Sequence, residues 1–224
     1  MMENNLLLDI PEFKEMLTDC EVAFRDKVAE LSINGFVESF LLKPNEWKYS
    51  RGDFFNPLPY REEMAGYQPA KLLKKSYSST DEASEKGIYS SGFIDGNHVV
   101  TRHPLELKNV MDICFFERRK DEVSCFNIRG FRSDSGRKDI IKSVEKIVDK
   151  GNKILSAIYA GDGNFSLNLL LKNTNGELNE EYVYAKDWSK NDIYKYIHHE
   201  GRLIEVRGVG KTGDFDVLLW QRKS

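Results

Sequence analysis

The sequence is poor in the residues that most often carry catalysis or metal binding. Its 224 residues include four histidines and three cysteines. Cys20, Cys114 and Cys125 are an odd number at no metal-ligand spacing, which suits a reducing compartment rather than a disulfide framework. No run approaches the roughly 20 apolar residues of a membrane helix. The start lacks the long apolar core of a signal peptide, because Asp9 and Pro11 interrupt it. We therefore expect a cytoplasmic protein with no membrane partner.

A broad basic surface is also lacking. The net charge is −3, and 40% apolar with 31% charged residues is ordinary for a globular protein of one large domain or a small pair. Residues 1–70 carry 13 acidic and 7 basic side chains, so the acidic excess lies in the N-terminal third. This balance argues against general affinity for nucleic acid.

The last third of the chain has the most regular pattern. Short alternating apolar runs are separated by turn residues that accept positive φ, such as Gly161-Asp162-Gly163-Asn164 and Glu200-Gly201. This spacing is typical of an antiparallel meander. The predicted strands cover 153–160, 165–172, 178–185, 202–207 and 214–221. Residues 192–198 fit a strand or a short capped helix, and we favour the strand.

The middle of the chain predicts two more hairpins and one helix. Residues 88–94 and 98–103 flank Asp95-Gly96, a strong hairpin signal, and a second pair covers 110–117 and 122–128. Residues 137–149 have apolar side chains at helical spacing and predict an inserted helix.

The N-terminal region predicts a long helix. Asp9, Pro11 and Glu12 suit a helix start, and Asn34-Gly35 suits its end. Apolar residues between them recur in steps of three and four. A second short helix is expected at 36–42. The polar face of the long helix is acidic and is either a solvated face or a docking surface for a basic partner. Its acidic residues are Glu12, Glu15, Asp19, Asp26 and Glu30.

Residues 45–68 are dense in aromatic side chains without a clear period. This composition predicts a long irregular connection, which either plugs one end of the sheet or forms part of an interface. The candidate interface residues are Trp47, Tyr49, Asp53, Phe54, Phe55 and Tyr60. The serine-rich stretch 76–86 resembles a linker.

These patterns together predict an α+β fold, an antiparallel β-sheet meander built of hairpins with N-terminal helices packed on it. Residues 1–75 would form a helical region with the aromatic loop. Residues 87–224 would form the sheet region with one inserted helix. A single domain is the alternative.

No cluster of residues predicts chemistry. Adjacent His198 and His199 would point to opposite faces of a strand, so they are poorly placed to bind one ion. We predict no catalytic residue, metal site or cofactor. Basic residues are concentrated between Arg118 and Lys138, but hairpin tips and a helix start explain most of them.

The stretch from Tyr194 to Ile204 carries a resemblance. Its Tyr-x-Tyr pattern followed by Glu-Gly-Arg-Leu-Ile, in a chain with an acidic N-terminal part, looks like bacterial toxin immunity proteins of polymorphic or contact-dependent toxin systems. The resemblance covers about the last 70 residues. It implies a non-catalytic binding protein that neutralises a cognate toxin by covering its active site, with a basic toxin domain as partner.

Two other functions stay open from the sequence. One is a small cytosolic hydrolase or nuclease that uses His98, His103 or the histidines at 198–199 as acid and base. The other is a nucleic-acid-binding adaptor that uses residues 118–138.

Overall fold

The computed structural model describes residues 6–34, 43–104, 110–131, 137–210 and 214–223. Within these ranges, a 3₁₀ turn precedes three helices: Leu7–Asp9, then α1 (Pro11–Asn34), α2 (Arg61–Met64) and α3 (Thr80–Glu85). The strands are β1 (Glu46–Arg51), β2 (Lys71–Leu72), β3 (Tyr89–Ile94), β4 (Asn97–His103), β5 (Val110–Arg119), β6 (Glu122–Phe131), β7 (Ile140–Asp149), β8 (Lys153–Ala160), β9 (Phe165–Lys172), β10 (Leu178–Ala185), β11 (Asp192–His199), β12 (Arg202–Gly208) and β13 (Val217–Gln221). Over the described ranges, no helix combines the length and apolar character of a membrane span.

The strands form one 13-stranded antiparallel sheet in the order β2-β1-β3-β4 and onwards to β13. From β3 to β13 each strand pairs with its neighbour in the chain. Asp95 and Gly96 both have positive φ in the β3–β4 turn, as do Glu200 and Gly201 in the β11–β12 turn. These are the backbone conformations that two-residue hairpins require. The predicted α+β antiparallel meander is confirmed, and residues 192–199 form a strand.

Helix α1 packs on one face of the sheet, which we call the outer face. Phe13 is fully buried there, among Leu155, Ala157 and Leu167. The thiol of Cys20 donates to the Ala157 carbonyl oxygen at 3.3 Å. Most of the apolar stripe predicted from the three- and four-residue spacing is therefore the packed face of α1, whereas Val28 is 44% exposed.

The other face of the sheet, the inner face, is covered by the β1–β2 connection, residues 52–70. Leu58 of this connection is buried among Cys114, Tyr196 and Val206. Aliphatic and aromatic side chains therefore fill both faces of the central strands, and the sheet lies between two cores.

The β1–β2 connection also shows that the sheet is strongly curved. Trp220 of β13 donates its indole N–H to the Tyr67 carbonyl oxygen at 2.7 Å, and Lys71 begins β2 at the opposite edge. The four residues from Tyr67 to Lys71 span at most about 14 Å, so the β13 edge and the β2 edge lie close together. Twelve strand spacings in a flat sheet would separate the two edges by about 57 Å. The sheet therefore curls around the connection, and its inner face is concave.

The predicted helix at 137–149 is wrong, because these residues include β7. Lys142 is an extra residue in the pairing of β7 with β6, where Asn127 pairs with Ser143 and Ile128 pairs with Ile141. This bulge places Ile141 and Val144 on the same face although they are three residues apart. Ile147 is buried on the opposite face. A bulge and two buried faces together produced the helix-like spacing.

The region around residues 45–86 is more regular than predicted. Residues 46–51 form β1 rather than part of an irregular loop. The proposed linker contains α3, whose N-cap Ser79 accepts a hydrogen bond from the Glu82 N–H at 3.1 Å. Because β1 and β2 belong to the same sheet as β3–β13, the sheet continues across the suggested division at 75–87. The expected helix at 36–42 lies outside the described residues.

Candidate functional site

The acidic face of α1 is partly neutralised by lysines of the sheet. Glu12 Oε1 lies 3.0 Å from Lys150 Nζ, and this hydrogen bond lowers the pKa of Glu12. Asp19 lies 2.7 Å from Lys146 Nζ, and Glu30 lies 3.2 Å from Lys27 Nζ. These three carboxylates fasten the edges of α1 to the sheet or brace the helix itself, each with a modest surface contribution of about 0–1 kcal/mol.

Glu15 and Asp26 differ from those three residues. Both side chains are exposed, and neither forms an ion pair with a described residue. They lie three turns apart on α1, since 11 residues separate them. Their negative charge is therefore available to a partner.

A groove of about 390 Å³ runs between α1 and strands β5–β7 on the outer face. Its floor is apolar and includes the buried side chains of Cys20, Phe126 and Val144. Its rim carries four carboxylates and two cationic side chains: Asp19, Asp26, Glu117, Glu122, Arg119 and Lys146. An apolar floor with an acidic rim suits a lysine or arginine side chain, whose aliphatic stem and charged end need these two environments.

The aromatic candidates do not share that surface. Tyr49 is buried with Ala83 and Ile88, and Trp47 packs between this cluster and the outer-face core. These two residues alternate with Lys48 in β1, so they lie on the same face of the sheet.

The remaining candidates belong to the β1–β2 connection. Phe55 packs edge-on against Phe93 with ring centroids 5.0 Å apart. Tyr60 packs 5.6 Å from the Tyr196 ring and places its hydroxyl 3.2 Å from His198 Nε2. Phe54 is 45% exposed, and it is the aromatic side chain of this group that is open to solvent.

The structure therefore separates the two predicted groups of site residues. The α1 carboxylates lie on the outer face, whereas Asp53, Phe54, Phe55 and Tyr60 belong to the connection on the inner face. Most of the aromatic side chains act as packing groups. Glu15 and Phe54 are exposed elsewhere, and the α1 groove, with Asp19 and Asp26 in its rim, is an open concave surface that contains predicted site residues.

A buried polar network holds the connection to the inner face. Arg61 Nη2 lies 3.6 Å from Glu145 Oε1, and the Asn168 amide, its oxygen facing the arginine, lies 2.8 Å from the same nitrogen. Ser156 donates to Glu145 Oε1 at 2.6 Å. One guanidinium group thus meets two acceptors of the central strands, the half-buried Glu145 and the buried Asn168.

Glu181 is the most buried carboxylate of this network, with 2% of the residue exposed. The hydroxyl of Tyr196 donates to its Oε2. Burial raises the pKa of Glu181, and the charge of Arg61 opposes that shift. No sequence pattern points to this network, because its members are far apart in the chain and none stands in a motif.

Asp53 and His103 are half-buried and interact electrostatically. Burial raises the pKa of Asp53 and lowers the pKa of His103, and each residue opposes the shift of the other. Asn56 donates to Asp53 Oδ2 at 2.9 Å, and the Asp53 N–H donates to Glu62 Oε1 at 2.6 Å. These bonds fix the first turn of the connection.

The basic residues between 118 and 138 do not form one described patch. Arg118, Arg119 and Lys120 lie at one end of the β5–β6 hairpin. Arg129 is seven residues further along β6 than Glu122, which places it about 23 Å from the turn. It donates two hydrogen bonds of 2.8 Å to Asp112. Arg132 lies outside the described residues.

The histidines are also dispersed. His98 is buried in an aromatic cluster, His198 contacts Tyr60, and the His199 side chain is 73% exposed. In the part of the chain that the structure describes, no group of three or more histidine, cysteine or acidic residues could hold a metal ion. No family model, curated protein or solved structure matches the chain.

Proposed function

We propose that this chain is a non-catalytic binding protein that neutralises a cognate bacterial toxin by covering its active site. The partner is a basic toxin domain, and the α1 groove is the docking surface. The observation that carries the proposal is the combination of an apolar floor and an acidic rim in an open groove on the outer face. The hairpin of β11 and β12, which contains Tyr194 to Ile204, supplies the resemblance to immunity proteins.

The charge distribution supports a basic partner. The rim has four carboxylates against two cations. Asp19 and Glu122 pair with Lys146, and Glu117 pairs with Lys27, so Asp26 is the rim carboxylate with no ion-pair partner among the described residues. Opposite charges at a rim speed association and exclude wrong partners more than they add affinity. Fast association suits an inhibitor, because it must bind the toxin before the toxin acts.

Asp26→Lys tests the groove directly. The wild-type chain should capture one stoichiometric basic protein from cells of its own source, with weaker capture at high salt because rim charges are screened. Asp26→Lys should weaken capture by about tenfold, since it adds repulsion at the rim.

Glu15→Lys is the matched control. It makes the same charge change on the same helix, at an exposed residue that does not line the groove. Capture should stay within about threefold of wild type, the size of a screened surface effect. Equal capture by the wild type and Asp26→Lys would contradict the groove assignment, and no captured protein at either salt would contradict the inhibitor function.

A further inference from the structure

Strand β13 leaves an apolar edge exposed. Val217, Leu218 and Leu219 are 43%, 48% and 43% exposed, and they are consecutive. β13 pairs with β12 on one side and is the last strand of the described sheet. Exposed apolar edge strands are templates for pairing with another strand, and proteins normally protect them with charge, proline or short length.

The opposite edge of the sheet is protected in this way. β2 has two residues and begins with Lys71. β13 has five residues, none of them charged. A bulge at Leu219, between the pairs Val206–Trp220 and Arg207–Leu218, twists the strand. Trp220 anchors it, because its side chain is buried and bonded to Tyr67. The apolar edge is therefore held in place rather than frayed.

The charges that flank β13 are self-complementary. Asp214 and Asp216 precede the apolar segment, and Arg222 and Lys223 follow it; all four residues are exposed. Antiparallel pairing of two copies places the acidic end of each strand beside the basic end of the other. Parallel pairing would place like charges together, which is destabilising.

We propose that β13 is a dimerisation edge, at which two copies of this chain pair antiparallel about a two-fold axis. Such an interface is isologous, so each favourable contact occurs twice. One short strand pair buries less surface than a standard interface, so the dimer is weak, with a Kd in the range of about 10–100 μM. This proposal is independent of the proposed function. The α1 groove is bordered by β5–β7, six strands from β13, and stays open in the dimer.

Sedimentation of the full chain from about 5 to 500 μM tests this proposal, since that range brackets the expected Kd. Leu218→Lys places a charge on the pairing edge and should raise the dimer Kd by at least tenfold. Ile140→Lys is the matched control, because Ile140 is also an exposed apolar strand residue, at 49%, and lies in β7, six strands from β13. It should leave the Kd within twofold of wild type. Circular dichroism confirms that both variants fold.

A charge exchange tests the antiparallel arrangement. Asp216→Lys should weaken the dimer by about three- to tenfold, because the repulsion occurs at both ends of the symmetric pair. Adding Lys223→Glu should restore most of the affinity. Arg222 is left unchanged, because its Nε donates to the Leu203 carbonyl oxygen at 2.9 Å.

Three results would overturn the proposal. The chain could sediment as a monomer over the whole concentration range, which would show that β13 does not pair with a second copy. Leu218→Lys could dimerise as well as wild type, which would place the interface elsewhere. The exchange at Asp216 and Lys223 could fail to restore the dimer, which would exclude antiparallel pairing.

Discussion

At the scale of single residues, His98 is a packing group. Its Nε2 lies 2.8 Å from Thr101 Oγ1, and its ring lies 4.3 Å from the Phe116 ring centroid. Burial and, to a smaller extent, the charge of Arg118 lower the pKa of His98 to about 4. The residue is therefore neutral in the folded protein at physiological pH, in a core that excludes the substrate of a general acid or base.

The lowered pKa of His98 predicts a loss of stability in mild acid. An unfolded histidine binds a proton below a pH of about 6.5. Folded His98 does so only near pH 4, so the unfolded state gains protons first and the free energy of unfolding falls between these values. The full effect is at most about 3 kcal/mol. Urea unfolding at pH 7, 5.5 and 4.5 measures it.

His98→Gln should flatten this pH dependence, because glutamine keeps a polar group beside Thr101 and does not titrate. His199→Gln is the control, since the His199 side chain is exposed on β11. It should follow the wild-type profile. A His98→Gln profile parallel to that of the wild type would show that this histidine does not control acid stability.

At the scale of elements, α1 illustrates what local pattern can predict. Its bounds, Pro11–Asn34, agree with the predicted proline at the start and Asn34 at the end, and most of its packed face follows from apolar spacing within one helix. The helix is 24 residues long, and its buried side chains pack on the central strands. Its stability therefore comes from contacts with the sheet and not from helix propensity alone.

Phe13→Ala tests the docking of α1. Phe13 is fully buried in the outer-face core, so its removal should lower the free energy of unfolding by about 3–5 kcal/mol. Val22→Ala, at a site 50% exposed on the same helix, should change it by about 0.5 kcal/mol or less. Urea unfolding compares the two variants. Similar losses in both would contradict the assigned packed face.

Strands β1 and β7 show where local pattern misleads. Trp47 and Tyr49 alternate with polar residues, which is a strand signal, but nearby prolines and glycines obscured it. In β7 the bulge at Lys142 shifted the alternation, and Ile147 added a second buried face. The β7 error comes from tertiary contacts that a short window of sequence does not contain.

At the scale of the whole molecule, curvature decides which surfaces are available. The sheet curls because the β1–β2 connection reaches both of its edges, through a contact between residues 153 positions apart. The hairpins are predictable from the sequence, but the curling that brings the two edges of the sheet together is not. Sequence reasoning therefore grouped the α1 carboxylates with aromatic residues that lie on the opposite face. Of that predicted surface, Asp19 and Asp26 lie at the open α1 groove.

The two proposed surfaces lie on different parts of the sheet. The α1 groove borders β5–β7 on the outer face, and the pairing edge is β13. A dimer through β13 would carry two grooves, each free to bind one partner. The charge variants in the groove and the edge variants are therefore expected to act independently.

The most direct test of the account is neutralisation in a bacterial host. The basic protein captured by the wild-type chain is expressed alone, and then together with the wild type, Asp26→Lys or Glu15→Lys. We expect the captured protein to arrest growth when it is expressed alone. Wild type and Glu15→Lys should restore growth, whereas Asp26→Lys should restore it poorly at equal expression. A captured protein that leaves growth unaffected, or an arrest that the wild-type chain does not relieve, would contradict the central claim.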